Sequence, residues 1–565
     1  NCVLLQFNPF RYNPIRDELS FCDRIVVRLE FDREPLRFKE SRLLKNIYDD
    51  IVLNYENAKY WLSFKDDTNP SFDDYDFLII TDDEFYDSMI PFKDFKEQTG
   101  FDTKIVKTSE TGSSSSEIFD YIKNAYNNEG ISYVLLVGDT EHIPIKNTGD
   151  HYYTCLDGGD LYPEIAIGRF SVKNNQDVDR IVSKTIDYQT SLLEYDYEKN
   201  LLFTEGSERH ALPVKNYIAD DVVPEEMNLE KVYPSQGGTK QEIIDYMNDG
   251  QLIVNYLGHG SPTEWCGPDL YASDLTSLNN AGKLPIIFSM SCSNGKIDSE
   301  CMAEESHRDE SSCVVYFAST RSCLITETNE FDKDLFRAIY NHEIDVIGDV
   351  ILNAKSDVLQ DFPSAGVVEM YVLLGDPTLR IKGFGPRLSF SPSSFDFGSL
   401  YRGEVGSSSF DVCNVGSETL SYSISESCSW LDVSVLSGSL SEGDCDTVDF
   451  SIDTSGLVYG VNICNISIES NDRDGFFEVF VNVLSHPPDL PVDPVPSDNA
   501  RGVDVSCLLS VNVSDVDGDI LSVGFFDAVD DSLIDSVSGV ESGDMASVFW
   551  DGLSYNTSYS WYVVV

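Results

Sequence analysis

The chain has 565 residues, of which 97 are acidic and 39 basic, and its net charge of -58 is spread along the whole length. That length exceeds what a single hydrophobic core fills and points to roughly three to five domains. The negative field argues against nucleic acid and anionic membrane as partners; it suits a soluble surface in high salt or calcium, or a basic substrate.

Thirteen cysteines lie at irregular spacing with no CxxC pair, which argues against a zinc ribbon or a thioredoxin-type motif. The odd count leaves at least one cysteine outside intramolecular disulfides. No apolar run reaches the roughly eighteen residues a transmembrane helix needs. The chain starts at Asn1 rather than Met and stops on Val563, Val564 and Val565 within a strand-like run, so both ends read as cut from a longer precursor. Missing targeting signals then carry no information about location.

Residues 1–69 read as the C-terminal part of a β-rich region and a connection. Ile25, Val27 and Leu29 alternate with Val26, Arg28 and Glu30 as in a half-buried strand, and 40–65 is helical or irregular. Over 70–385 the pattern becomes strand and helix in alternation: strands at 77–80, 103–107, 133–137, 164–168 and 201–204, with helices at 82–98, 116–127, 175–189 and 241–248 between them. Three short apolar runs bounded by Gly, Pro or Ser follow at 252–257, 284–290 and 314–318, as expected of strands buried on both faces of a parallel sheet. Helices at 333–341 and 346–359 and a turn at 370–381 close the unit. The expected fold is a three-layer α/β domain with a mostly parallel sheet.

Helical periodicity stops after Gly383. Short alternating runs over 386–485, separated by Ser, Gly and Asp turns, predict an immunoglobulin-like β-sandwich. A Pro-rich linker spans 486–497, and 498–565 begins a second, truncated sandwich of immunoglobulin or fibronectin type. Cys413, Cys428, Cys445 and Cys464 lie in the first sandwich and allow two disulfides in any of three pairings.

Two of the buried strands end on reactive side chains. His259 follows the 252–257 strand between Gly258 and Gly260; Cys292 follows the 284–290 strand, three residues before Gly295. Ligands collect outside the carboxyl ends of strands in open α/β sheets, so an imidazole and a thiol there can face one cleft as a nucleophile and its base. A lone histidine in a Gly-rich turn, or a lone cysteine, is more often inert; the pairing carries the argument. Glu164 and Asp160 are carboxylates able to orient the imidazole or meet a substrate, set against a bland reading as solvated loop acids, and Glu304 reads as a helix-start charge. The run Asp515 to Asp519 resembles part of a calcium loop but has no Glu at its last position, so an exposed turn is the simpler reading.

Six blocks in order, YDFLIITDDEF, YVLLVGDTEHIP, PEIAIGRFS, NYLGHGSPTEW, FSMSCSNG followed by CMAE, and LLGDPTLR, resemble the gingipain-type cysteine peptidases, relatives of caspases and legumains. The resemblance implies a caspase-like fold in which Cys292 is the nucleophile and His259 the general base or orienter. It also implies Glu164 as a third member near the histidine, and the amides of Gly260 and Cys292 as the oxyanion hole. The β-rich N-terminal region then corresponds to a pro-region, and the sandwiches to the immunoglobulin-like domains that follow the peptidase. Family members that cut after Arg or Lys line the pocket with an acid; Asp177 is only a faint match.

The expectation is therefore an extracellular or cell-surface endopeptidase acting on proteins or peptides through a Cys-His dyad and an acyl-enzyme. It requires no cofactor or catalytic metal, and leaves room for a structural calcium and for cell-surface attachment. The rival reading is an inactive surface adhesin whose sandwiches carry the function; two partners each standing at a strand end favour the enzyme. A metal hydrolase ranks third, because none of the seven histidines has HExxH spacing.

Overall fold

The computed structural model describes residues 10–13, 18–21, 75–190, 196–206, 209–364 and 366–565. The chain divides into two compact units, Asn1–Pro70 and Ser71–Val565. In the first, β1 (Phe10–Asn13) and β2 (Glu18–Phe21) form an antiparallel pair with Phe10 opposite Phe21. The strand expected at 25–29 and the connection at 40–65 lie outside the described residues.

The second unit opens with an α/β domain built on one ten-stranded sheet. Its first half alternates β3 (Phe77–Thr81), α1 (Tyr86–Gln98), β4 (Thr103–Lys107), α2 (Ser115–Asn128), β5 (Tyr133–Val137), β6 (Ala166–Phe170) and α3 (Asn175–Thr190). The second half holds β7 (Asn200–Glu205), β8 (Asn228–Val232), α4 (Lys240–Asp249) and β9 (Ile253–Leu257). A small three-stranded sheet follows, of β10 (Gly260–Ser261), β11 (Glu264–Trp265) and β12 (Leu270–Tyr271). Then come β13 (Ile286–Met290), α5 (Met302–Arg308), β14 (Val315–Ser319), α6 (Ile325–Tyr340), α7 (Ile347–Asp361) and β15 (Tyr371–Leu374). The central strands β3, β5, β9, β13 and β14 are buried at every position, which explains their unbroken apolar runs.

Sheet order is β4-β3-β5-β6-β15-β14-β13-β9-β7-β8. β15 runs antiparallel to β14 and parallel to β6, so the β3 to β6 half points opposite to the half containing β13 and β9. The start of β6 therefore lies on the same edge of the sheet as the ends of β9, β13 and β14. Arg169, wholly buried on β6, grips Asp150 through two hydrogen bonds of 2.9 and 2.6 Å and donates to the carbonyls of Gly138 and Ile143, tying down the long β5 to β6 connection. On β15's far side, buried Asp376 accepts from Lys96 at 2.5 Å and from Thr378.

Beyond the α/β domain, strands from Leu388–Ser391 to Gly475–Leu484 form sheets of four and five strands closed on an apolar core. Of the three open pairings, the disulfides are Cys413 with Cys445 and Cys428 with Cys464. Two three-stranded sheets follow between Val492–Val495 and Trp561–Val564.

Candidate active site

Glycine is required on both sides of His259 because neighbouring backbone leaves no room for a side chain. A Cβ on Gly258 would sit 2.6 Å from the amide nitrogen of Gly206, and one on Gly260 would sit 2.7 Å from the carbonyl oxygen of Cys292. The turn after β9 is thus pressed directly against the turn after β13. Tyr256 fixes the histidine turn from beneath: its hydroxyl reaches the carbonyls of His259 at 2.6 Å and Cys266 at 2.5 Å, and its ring stacks on Trp265. Asn294, fully buried, joins the two turns. Its side-chain amide donates to the carbonyls of Ser261 and Glu264 on the histidine side, the latter at 3.1 Å, while its oxygen accepts from the Ser289 and Ser291 hydroxyls at 2.7 and 2.5 Å.

The third strand end completes the site. Ser293, in the left-handed region at φ 61°, bends the chain after Cys292 and donates its amide to the carbonyl of Arg321, just past β14. This brings Cys323 to Cys292, with 3.9 Å between the sulfurs, and the Tyr371 hydroxyl lies 3.9 Å behind Cys323.

The thiol of Cys292 is pulled from an ordinary value of 9.0 down to about 6. The largest cause is the Cys323 thiol hydrogen-bonding to it; partial burial opposes, and the Cys323 amide, the charge on His259 and the Ser322 hydroxyl add to the lowering. Cys323 is held up by the same pairing and by burial, so Cys292 is the sulfur that ionises. A second thiol and imidazole, Cys155 and His151, lie 3.3 Å apart but behave in the opposite way. Burial and then the nearby Lys355 ammonium keep His151 neutral against its bond to the Leu161 carbonyl, while burial pushes the Cys155 thiol up to about 11. A low-pKa thiolate can attack a carbonyl carbon; a buried thiol at 11 cannot do so at neutral pH.

Glu164 stands two residues before β6, on the same sheet edge as His259 and Cys292. One of its oxygens accepts the amides of Leu156 at 2.6 Å and Asp157 at 3.1 Å, and burial raises its pKa against those bonds. Asp160 is exposed and caps the Tyr162 amide. Asp177 accepts from Lys173 and Asn174 at the start of α3, and Glu304, buried rather than a simple helix-start charge, accepts from Ser171 at 2.6 Å. The residues that sequence reasoning passed over are Cys323, Asn294 and Tyr256. Cys323 carried the same signal as Cys292, a thiol just past a buried strand.

The family model described as Peptidase family C25 matches residues 71–382, more than half of the chain. The chain belongs to peptidase family C25. The C25 propeptide model matches residues 1–62, and one described as a viral BACON domain matches 387–476. Gingipain R2 of Porphyromonas gingivalis is 26% identical over 462 residues, covering 73% of this chain and 62% of its own length. Lys-gingipain of the same organism is 23% identical over 319 residues, covering 52% of this chain and 18% of its own. The C25 chain thus spans less than two thirds of these relatives. The crystal structure of the Arg specific cysteine proteinase gingipain R superposes with a TM-score of 0.54 at 21% identity, covering 73% of this chain and 99% of that one, a likeness of fold.

Proposed function

We propose that this C25 chain is a cysteine endopeptidase in which Cys292 is the nucleophile and His259 its proton carrier. The observation that carries the reading is the lowered thiol of Cys292 against the Gly258, His259 and Gly260 turn, while the other thiol and imidazole pair is inactivated by burial. The thiolate sulfur attacks the scissile carbonyl carbon, and the displaced electron pair settles on the carbonyl oxygen, held by the amides of Gly260 and Cys292. As the carbon–nitrogen bond breaks, the leaving amine takes a proton from His259. A water then loses its proton to His259 and attacks the thioester, freeing the acid and the thiol. Glu164, on the same sheet edge, serves as the third member that orients the imidazole.

Substrates are proteins or peptides, and the charge of -58 favours cationic ones. Two disulfides in the sandwich support an extracellular or cell-surface location. In the second sandwich the carboxylates of Asp515, Asp517 and Asp519 converge within 4.8 Å, an all-oxygen set suited to a structural calcium remote from the chemistry. The test of the central assignment is Cys292→Ala: peptide hydrolysis falls by at least about a thousandfold with unchanged thermal unfolding. A variant that retains the rate refutes the nucleophile.

A further inference from the structure

No step of the proposed hydrolysis needs a second thiol, yet the sulfur of Cys323 stands 3.9 Å from that of Cys292, and both are free. We propose that Cys292 and Cys323 form a reversible disulfide under peroxide, a modification site that switches hydrolysis off and protects the sulfur of Cys292 from irreversible oxidation. A disulfide bond is about 2.05 Å long, so the sulfurs must close by roughly 2 Å. The two sides differ in their freedom to do so. The Cys292 turn is clamped by Asn294 and pressed on Gly260, whereas Cys323 lies in irregular backbone between β14 and α6, flanked by exposed Ser322 and Leu324. The bond from the Ser293 amide to the Arg321 carbonyl keeps the two segments side by side while Cys323 moves.

The chemistry balances with hydrogen peroxide as oxidant. The Cys292 thiolate attacks one peroxide oxygen, the oxygen–oxygen bond breaks, and the departing hydroxide takes a proton to become water, leaving a sulfenic acid. The Cys323 sulfur then attacks the sulfenic sulfur; its proton and the hydroxyl leave as a second water, and the disulfide forms. A dithiol reductant returns both thiols. The depressed pKa of Cys292 suits it to the first step, and the proximity of Cys323 gives the second step an advantage over further oxidation to sulfinic acid. Cys301 and Cys313 are buried with raised thiol pKa values and are poor competitors for peroxide.

The loss of hydrolysis rests on the Cys292 nucleophile proposed above; the cross-link itself does not. The experiment treats the full chain with a several-fold molar excess of hydrogen peroxide, enough to carry an unprotected thiolate through sulfenic to sulfinic acid, then reads peptide hydrolysis and non-reducing peptide mass maps before and after dithiothreitol. The expected result is a cross-linked 292 and 323 peptide pair, an activity loss of at least about tenfold, and recovery on reduction. In both Cys323→Ser and Cys323→Ala, each referred to its own untreated rate, the cross-link is absent and reduction fails to restore activity because Cys292 passes to sulfinic acid. Sulfinic acid at Cys292 in the unmutated chain without a cross-link overturns the disulfide and leaves the nucleophile standing. A cross-link with undiminished hydrolysis supports the disulfide and overturns the nucleophile.

Discussion

A thiol that ionises near pH 6 rather than near 9 is mostly thiolate at neutral pH, and the hydrogen bond from Cys323 is the main reason. Because the value is depressed, the reactive form is present above about 6 and is lost as the pH falls through it. Alkylation of Cys292 by iodoacetamide is therefore expected to rise to half its plateau near pH 6, and in Cys323→Ala the midpoint shifts upward. A midpoint near that of an ordinary thiol in the unmutated chain refutes this electrostatic account. At this scale the positions of His259 and Cys292, past the ends of two neighbouring strands, were legible in the sequence because each follows a buried apolar run, and glycines mark the crowding around the histidine. Cys323 carried the same mark, a thiol past a buried strand, but its contact with Cys292 depends on which strand ends are neighbours in the sheet, and chain order alone does not give that.

The strand and helix elements frame the same chemistry. Asn294 is the joint between the histidine and cysteine turns, and in Asn294→Ala the carbonyls of Ser261 and Glu264 and two serine hydroxyls lose a partner. The variant is expected to lose about 2–4 kcal/mol of stability and roughly a hundredfold in kcat with a much smaller change in KM. Steady-state kinetics checks the split; a change confined to KM contradicts the clamp. Most elements could be read in the sequence because their apolar runs are continuous. β8 (Asn228–Val232) escaped because it is a polar edge strand, and α6 begins at Ile325 rather than at 333 because its first two turns are mostly polar. The 164–168 strand starts at Ala166 instead, which leaves Glu164 in the loop before it, and the reversed direction of β15 decides that this loop shares an edge with His259.

Across the whole molecule, the peptidase domain and first sandwich share a polar seam. Asp472 of the sandwich pairs with Arg380 of the peptidase domain and accepts the Leu388 amide at 2.8 Å, the Ser389 hydroxyl donates to the Thr190 carbonyl, and Arg473 lies 3.5 Å over the Phe101 ring. The seam also borders a cleft of about 340 Å³ lined by Phe95, Phe101, Arg387 and Asp472, remote from Cys292 in its lining. Asp472→Ala is expected to cost about 1–3 kcal/mol and to separate one thermal transition into two, read by calorimetry; an unchanged thermogram contradicts the coupling. A charge of -58 adds self-repulsion, so the melting temperature is expected to rise by several degrees between about 0.02 and 0.5 M sodium chloride. Domain types were legible from the change in periodicity, whereas the seam was not, since it joins residues 84 or more positions apart in the chain. The central claim, that one thiol among thirteen cysteines performs the hydrolysis, is tested most directly by labelling the whole chain with a thiol-reactive peptidyl probe and mapping the modified peptide. Modification confined to Cys292, with hydrolysis lost in step with labelling, is the predicted result; labelling at another cysteine, or complete labelling of Cys292 with hydrolysis intact, would contradict it.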